Sequence, residues 1–140
     1  MRSDDERLGV VREWVARAED DFKTATGLLK SVKDAPPSSI CFHAQQCIEK
    51  YLKAHLVWQR RDFAKIHDIG ELLARLGTQA GVTLTVVEQR RLTWYATSGR
   101  YPGHYEPISP KEARAAVALA RKLRAATRKA LPTAAIRPRG

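Results

Sequence analysis

The chain has 140 residues and a net charge of +10, with 44% hydrophobic and 29% charged residues. A domain of this size and composition is soluble and can bury a core without a metal or disulfide scaffold. No apolar run approaches the roughly 18 residues of a membrane-spanning helix, and the charged start is unlike a signal peptide. We therefore expect a cytoplasmic protein that does not enter a membrane.

The first predicted helix follows a capping box of Ser3 and Glu6 and ends before Pro36, since proline cannot continue a helix. Its apolar residues recur at alternating steps of three and four positions, which is the spacing of one face of an amphipathic helix. They are Leu8, Val11, Val15, Ala18, Phe22, Ala25, Leu29 and Val32. This stripe predicts one long helix that packs against a bundle core.

The second predicted helix begins at Ser38 or Ser39 and reaches about Arg60, with apolar residues over more than half of its circumference. Such a helix lies at the centre of a bundle or packs against a second subunit. Cys41 and Cys47 lie six positions apart and face different directions, so we expect buried free thiols instead of a disulfide. Because no metal-ligand spacing occurs in the sequence, we expect neither a metal nor a cofactor.

A polar stripe on the second predicted helix contains His43, Gln46, Lys50 and Lys53. His43 is a candidate ligand-binding residue or base, although a histidine on a helix face is more often a hydrogen-bonded structural residue. Lys50 and Lys53 are candidates for binding phosphate, and simple solvation of their face is the alternative. We include these three residues among the candidates for nucleotide or RNA binding.

Three further helices are predicted from N-cap residues that have a glutamate three positions later. The pairs are Asp68 with Glu71, Thr85 with Glu88, and Ser109 with Glu112. No segment alternates with the period of a strand. The sequence therefore predicts an all-α fold, an antiparallel up-and-down bundle of four to five helices within a single domain at residues 1–132. Residues 133–140 are expected to form a disordered basic tail.

Basic residues are concentrated on the last predicted helix and beyond it. Residues 111–140 contain nine lysines and arginines and one acidic residue, Glu112. This distribution favours an anionic partner such as nucleic acid, a nucleotide or an acidic protein, with a solvated helix face as the alternative.

Four segments of the chain, in this order, resemble the HEPN (higher eukaryote and prokaryote nucleotide-binding) domain. Residues 41–54, with the sequence CFHAQQCIEKYLKA, resemble its second helix, and residues 13–22 resemble its first. Lys65-Ile-His-Asp-Ile resembles its His-Asp step, and Ser98-Gly-Arg-Tyr-Pro resembles the loop before its last helix. The resemblance runs from about residue 11 to residue 131. It implies a bundle of four or five helices that commonly assembles as a homodimer.

The resemblance implies more than one activity, because fold does not determine function. Some HEPN domains are metal-independent ribonucleases and toxins, others are non-catalytic partners of a small nucleotidyltransferase encoded beside them, and some bind nucleotides. Our leading hypothesis is a nucleotide- or RNA-binding partner of a nucleotidyltransferase, in a toxin–antitoxin pair. The alternatives are a metal-independent endoribonuclease and a purely structural dimeric interaction module.

The candidate catalytic residues are Arg100 and His104, with Tyr105 in support. Ribonucleolytic HEPN proteins carry an arginine and a histidine separated by four to six residues, whereas only three residues separate this pair. A histidine can act as base or acid, and an arginine can stabilise the charge on the phosphorane. Arg61 and His67 match the spacing, but they precede the third predicted helix, so we regard that match as accidental.

The same loop supplies the main candidates for nucleotide or RNA binding, which are Arg100, Tyr101, His104 and Tyr105. Arginine, histidine and tyrosine together suit phosphate pairing and base stacking. A structural role is the alternative. In that case Tyr101 and Tyr105 pack over the end of the bundle and Arg100 pairs with a carboxylate such as Glu49.

Overall fold

The structure is a computed structural model that describes residues 3–104 and 106–137. Within these residues it contains six α-helices and no strand, which confirms the predicted all-α bundle. The helices are α1 (Asp4–Ser31), α2 (Pro37–Trp58), α3 (Ile69–Leu76), α4 (Val86–Ala96), α5 (Pro110–Ala130) and α6 (Thr133–Ile136). Short 3-10 turns lie at Gly77–Ala80, Ser98–Arg100 and Pro102–His104. None of the described helices is long and apolar enough to cross a membrane.

The predicted N-caps start four of these helices. The side chain of Ser3 accepts a hydrogen bond from the Glu6 amide, and Thr85 and Glu88 form a complete capping box. Asp68 and Ser109 cap α3 and α5 in the same way. The predicted start of α2 was one or two residues late, because Pro37 occupies the first helical turn, where its fixed φ angle fits and its missing N–H is not needed.

The α2 helix lies at the centre of the bundle, as its apolar circumference predicts. It packs against α1, α3, α4 and α5, and Ile48, Tyr51 and Leu56 are completely buried. Cys41 and Cys47 are also completely buried and form no disulfide. Burial raises the pKa of the Cys41 thiol to about 11, so this side chain is a neutral, small apolar group at neutral pH.

Contacts between distant residues define the direction of the helices. Along α1 and α5, Glu19 pairs with Arg124, and Arg121, earlier in α5, lies over the ring of Phe22, later in α1, so the two helices are antiparallel. The first half of α1 therefore lies at the same end of the bundle as the end of α5. The start of α2 lies at the opposite end.

The prediction of a disordered tail from residue 133 is wrong for Thr133–Ile136, which form α6. The Nε atom of Arg12 donates to the carbonyl of Ala134 at 2.6 Å, and Ala135 is buried. Pro132 occupies the N-cap position of this short helix. The apolar residues that follow it pack against α1. Tertiary packing thus orders a segment that is too short to form a stable helix alone. Residues 138–140 lie outside the described residues.

Candidate functional site

A cleft of about 440 Å³ lies where the start of α2 meets the end of α4 and the turn that follows it. We call it the Arg100 cleft. It is lined by Ser38, Ser39, Phe42, His43, Trp94, Tyr95, Gly99, Arg100 and Ile108. The fold therefore brings together His43 and Arg100, two candidates that are more than 50 positions apart in the sequence.

The guanidinium group of Arg100 lies over the ring of Phe42, with its Cζ atom 4.0 Å from the ring centroid. Among the described residues no carboxylate lies within ion-pair distance of Arg100, so the suggested pairing with Glu49 is wrong. Arg100 also lines a second groove, of about 510 Å³, together with Tyr101. An exposed guanidinium group that lies over a ring is well placed to bind a phosphate group.

Tyr101 is 65% exposed and does not pack over the end of the bundle. The structural alternative is therefore wrong for this residue. An exposed tyrosine next to Arg100 offers a ring face on which a base can stack.

His43 is anchored by Asp21, whose side chain comes from α1 and is largely buried. Nδ1 of His43 lies 2.8 Å from Oδ1 of Asp21. If this ring nitrogen carries the proton, it donates to the carboxylate and leaves the lone pair of Nε2 available. This hydrogen bond orients the imidazole ring that lines the Arg100 cleft, and the binding role of His43 stays a prediction.

Lys50 and Lys53 both form ion pairs. Nζ of Lys50 lies 2.5 Å from Oδ2 of Asp21. Lys53 is only 5% exposed, and its Nζ donates to Glu49 at 2.9 Å, so simple solvation is wrong for this residue. Neither lysine lines the Arg100 cleft. We therefore keep His43 in the candidate site and assign both ammonium groups to neutralising buried carboxylates.

His67 completes the buried network around Glu49. Its Nδ1 lies 3.1 Å from Oε2 of Glu49, although the imidazole itself is largely exposed. Burial raises the pKa of Glu49, but hydrogen bonds from Lys53, His67 and Gln45 outweigh burial and hold this pKa below its ordinary value. Glu49 is thus a buried anion, and its bonds connect α2 to the turn before α3.

The backbone that carries Arg100 is fixed by a close approach at Gly99. A Cβ atom added there would lie 2.7 Å from the carbonyl oxygen of Trp94 and 2.9 Å from its ring. Only glycine fits this position without a shift of the neighbouring chain. The turn therefore packs tightly against the end of α4, and this packing places the side chain of the next residue over Phe42.

An ion-pair cluster holds α4 against α5 beside the cleft. Arg91 donates to Glu112 at 2.7 and 3.1 Å and to Glu106 at 3.0 Å. The hydroxyl of Tyr95 also donates to Glu112. The hydrogen bonds from Arg91 are the main reason that the pKa of Glu112 is lowered. This cluster fixes both ends of the segment that contains Arg100.

The candidate catalytic pair is described only in part. The backbone of His104 belongs to the turn Pro102–His104, but its side chain and the whole of Tyr105 lie outside the described residues. The pairing of Arg100 with His104 therefore stays a prediction. Within residues 3–104 and 106–137, no group of three or more histidine, cysteine or acidic side chains is placed to hold a metal ion.

The basic residues of α5 divide into two groups. Arg124 forms two hydrogen bonds with Glu19, at 2.6 and 2.7 Å, and Arg128 donates to the hydroxyl of Tyr51. Arg121 lies over a ring of α1. The remaining cations of this helix are exposed, namely Lys111, Arg114, Lys122 and Lys129. Part of the basic face therefore stabilises the bundle, and the other part is free to attract an anionic partner.

Three important residues are absent from the candidates that the sequence suggests. Phe42 supports Arg100, Asp21 orients His43, and Gly99 permits the turn. The sequence could have marked Asp21 as a candidate, because this acidic residue directly precedes Phe22 and so lies near the apolar stripe of α1. It could not have marked Phe42, since an aromatic residue in an apolar helix is expected to belong to the core.

The fold and the cleft together define an all-α bundle with a cationic and aromatic surface at one end. A family model described as HEPN domain matches residues 11–130. The chain therefore belongs to the HEPN family. The solved structure of TT1696 from Thermus thermophilus is similar, with a TM-score of 0.71 and 30% identity over 86% of this chain and 98% of that chain. No curated protein matches the chain significantly.

Proposed function

We propose that this HEPN protein binds a nucleotide or RNA through the Arg100 cleft and works as the partner of a nucleotidyltransferase, in a toxin–antitoxin pair. The observation that carries the proposal is the position of Arg100. Its guanidinium group is exposed, lies over the ring of Phe42, and has no carboxylate partner among the described residues. The ring of Tyr101 and the imidazole of His43 extend this surface on either side.

The chemistry of these groups matches that of a single-stranded nucleic acid. A guanidinium group binds phosphate oxygens through two parallel hydrogen bonds, and exposed aromatic rings stack on bases. The exposed cations of α5 add a long-range attraction for a polyanion. Because each of these contributions tolerates different bases, we expect binding that depends on charge and strand flexibility more than on sequence.

Binding of fluorescently labelled single-stranded RNA, measured by anisotropy, tests the cleft. We expect affinity to fall steeply between about 50 mM and about 200 mM salt, because bound phosphates release counterions. Arg100→Ala should weaken binding about tenfold, the effect of losing one charge-assisted contact.

The matched control is Lys129→Ala, which removes an exposed positive charge from the other end of α5. It should have a much smaller effect than Arg100→Ala. Equal losses in the two variants would mean that net charge alone attracts RNA, and the cleft would no longer be needed as a binding site.

The partnership is tested by co-expression with a minimal nucleotidyltransferase encoded beside this chain. A stable complex on purification is the expected result. If the neighbouring genes encode no nucleotidyltransferase and no partner co-purifies, the partnership is wrong, although the binding site can still stand on the RNA titration.

A second candidate function is metal-independent RNA cleavage by Arg100 and His104, with Tyr105 in support. The observation that favours it is an imidazole, that of His43, which Asp21 orients in the same cleft as Arg100, so the cleft holds a candidate base beside a cation. His104 remains the predicted base, and the variants below decide between the two histidines. In this reaction a base takes the 2′-hydroxyl proton, and the 2′-oxygen attacks the adjacent phosphorus to form a 2′,3′-cyclic phosphate. The P–O5′ bond breaks, the protonated base gives its proton to the leaving 5′-oxygen, and a cation stabilises the phosphorane between these steps.

Incubation of the purified protein with RNA in EDTA separates cleavage from binding. Loss of cleavage in both Arg100→Ala and His104→Ala would establish the predicted pair. Loss in His43→Gln with retention in His104→Ala would move the base to His43. Folded protein that binds RNA without cutting it would leave the binding function alone.

We also propose that the protein is a homodimer. Val86 and Val87 at the start of α4 are 58% and 76% exposed, and large exposed apolar residues next to each other suit a contact between copies. Light scattering coupled to gel filtration should give the mass of two chains, and Val87→Glu should reduce it. A dimer that binds neither ATP, GTP nor RNA would instead be a purely structural interaction module.

A further inference from the structure

A second cavity, of about 760 Å³, lies at the end of the bundle opposite the Arg100 cleft. It is bounded by the first half of α1, the end of α2 and the loop at residues 60–64. We call it the Trp14 cavity. None of its lining residues lines the Arg100 cleft. Its volume is within the range of pockets that hold small-molecule ligands.

Two aromatic rings form the apolar wall of this cavity. The rings of Trp14 and Phe63 meet edge to face, with their centroids 6.0 Å apart. The ammonium group of Lys53 lies 5.4 and 5.6 Å from their centroids and is itself held by Glu49. The rings are therefore packed against a buried, hydrogen-bonded charge, which gives the cavity a fixed surface for a planar group.

Four arginines line the same cavity, and they outnumber its carboxylates. Arg7 and Arg60 share one carboxylate, that of Asp4, at 3.2 and 2.6 Å. Arg61 donates to a backbone carbonyl, and Arg17 contacts no carboxylate within 4 Å among the described residues. Only two of the lining residues are acidic, Glu13 and Asp62. This charge balance favours an anion.

Arg7 belongs to the fixed wall of the cavity. Its guanidinium group lies over the ring of Trp58, 4.2 Å from the centroid, and its two terminal nitrogens donate to Asp4 and to the carbonyl of Trp58. Arg60 is paired with the same carboxylate. The lining arginines that have no carboxylate partner among the described residues are therefore Arg17 and Arg61.

We propose that the Trp14 cavity is a second binding site, specific for a small phosphorylated ligand with one planar ring, such as a free mononucleotide. The ring lies against Trp14 and Phe63, and the phosphate pairs with Arg17 and Arg61. Arginine pairs with phosphate through two parallel donors, which a lysine cannot reproduce. The site goes beyond the proposed function, because it takes a soluble small molecule at the other end of the bundle.

Isothermal titration calorimetry with AMP, adenosine and ribose 5-phosphate tests both halves of the ligand. We expect AMP to bind more than about tenfold more tightly than either fragment, because the phosphate and the ring occupy different walls of one cavity. AMP that binds no better than ribose 5-phosphate would overturn the aromatic half. Absence of AMP binding would overturn the site.

Variants locate the ligand in the cavity. Arg17→Ala and Arg17→Lys should each weaken AMP binding about tenfold, the second because it keeps the charge but loses the paired donors. Phe63→Leu, which keeps an apolar side chain of similar size and removes the ring, should bring the affinity for AMP close to that for ribose 5-phosphate.

Arg114→Ala is the matched control, since it removes an exposed arginine near the start of α5, at the opposite end of the bundle. It should leave AMP affinity within about twofold. If Arg17→Ala and Arg114→Ala weaken AMP equally, the ligand responds only to net charge and the assignment fails. Competition by AMP against labelled RNA would likewise place both ligands on one surface and contradict a separate site.

Discussion

The middle of α2 and its start differ in how the positively charged side chains beside them are used. Along its middle, Asp21 neutralises Lys50, and Glu49 neutralises Lys53, in both cases within 3 Å. At its start, Arg100 lies on Phe42 with no carboxylate partner among the described residues. The first set of cations stabilises the bundle, and the second is available to a ligand.

This difference shows that residue type alone does not identify a binding residue. A lysine whose charge is met by a buried carboxylate cannot bind phosphate without losing that partner, which is costly in a low-dielectric interior. An arginine supported by an aromatic ring keeps its donors free. The distinction depends on the neighbours, and the following variants test it from the largest effect to the smallest.

The largest effect is expected for Glu49→Ala. This variant leaves the ammonium of Lys53 buried without its carboxylate, and it should lower the free energy of unfolding by about 3–5 kcal/mol. Urea denaturation followed by circular dichroism measures the change. The double variant Glu49→Gln with Lys53→Met, which removes both charges, should recover much of the loss. Equal destabilisation in the single and double variants would mean that packing, and not charge pairing, holds this network.

A smaller loss is expected for Gly99→Ala, which places a methyl group against Trp94. Overpacking of this kind costs about 1–3 kcal/mol, and here it should also move Arg100 away from Phe42 and weaken RNA binding. Gly103→Ala is the matched control, because nothing lies within 4 Å of a Cβ atom added there. If both variants bind RNA as the natural chain does, the turn does not position the guanidinium group.

The comparison between paired and unpaired arginines predicts a smaller difference in stability. Arg124→Ala removes the two hydrogen bonds to Glu19 and should cost about 1–2 kcal/mol, discounted because both side chains are partly exposed. Arg100→Ala should change stability by less than about 0.5 kcal/mol. Thermal and urea unfolding of the two variants checks this order. Destabilisation by Arg100→Ala as large as that by Arg124→Ala would assign Arg100 a structural role.

The smallest expected effect is the loss of unfolding free energy when the pH is lowered moderately. Burial raises the pKa of Glu19 and of Glu49, but hydrogen bonds from Arg124 and from Lys53 outweigh burial, so both pKa values lie below the ordinary value of 4.5. The ionised carboxylates therefore stabilise the folded state. This contribution is complete above 4.5 and is lost as the pH falls through the lowered pKa values of the folded protein.

Urea denaturation at a series of pH values between about 7 and about 3 measures this loss. The unfolding free energy of the natural chain should fall below pH 4.5, and that of Glu49→Gln should fall less steeply. Parallel curves for the two proteins would show that Glu49 titrates alike in the folded and unfolded states.

The sequence predicted those features that depend on neighbours along the chain. The helices capped by Ser3, Asp68, Thr85 and Ser109 begin where the capping pattern places them, because a cap and its amide lie within three residues. The central position of α2 followed from its apolar circumference. Arg100 was predicted as a candidate from its place in the family pattern.

Contacts between residues far apart in the chain could not be predicted in this way. Nothing in the order of residues indicates that Asp21 of α1 meets His43 and Lys50, or that Arg100 lies on Phe42 instead of pairing with Glu49. The short helix at Thr133–Ile136 likewise depends on packing against α1, because a segment of this length has little helical stability of its own.

The sequence by itself determined that this protein is an all-α bundle of the HEPN family, since hydrophobic period, capping and segment order are properties of the linear chain. The tertiary structure alone decided which charged groups are neutralised and which remain available. The physical reason is that electrostatic and stacking energies depend on distances of a few ångströms between groups. In this chain those distances join residues that helix packing brings together from separate segments.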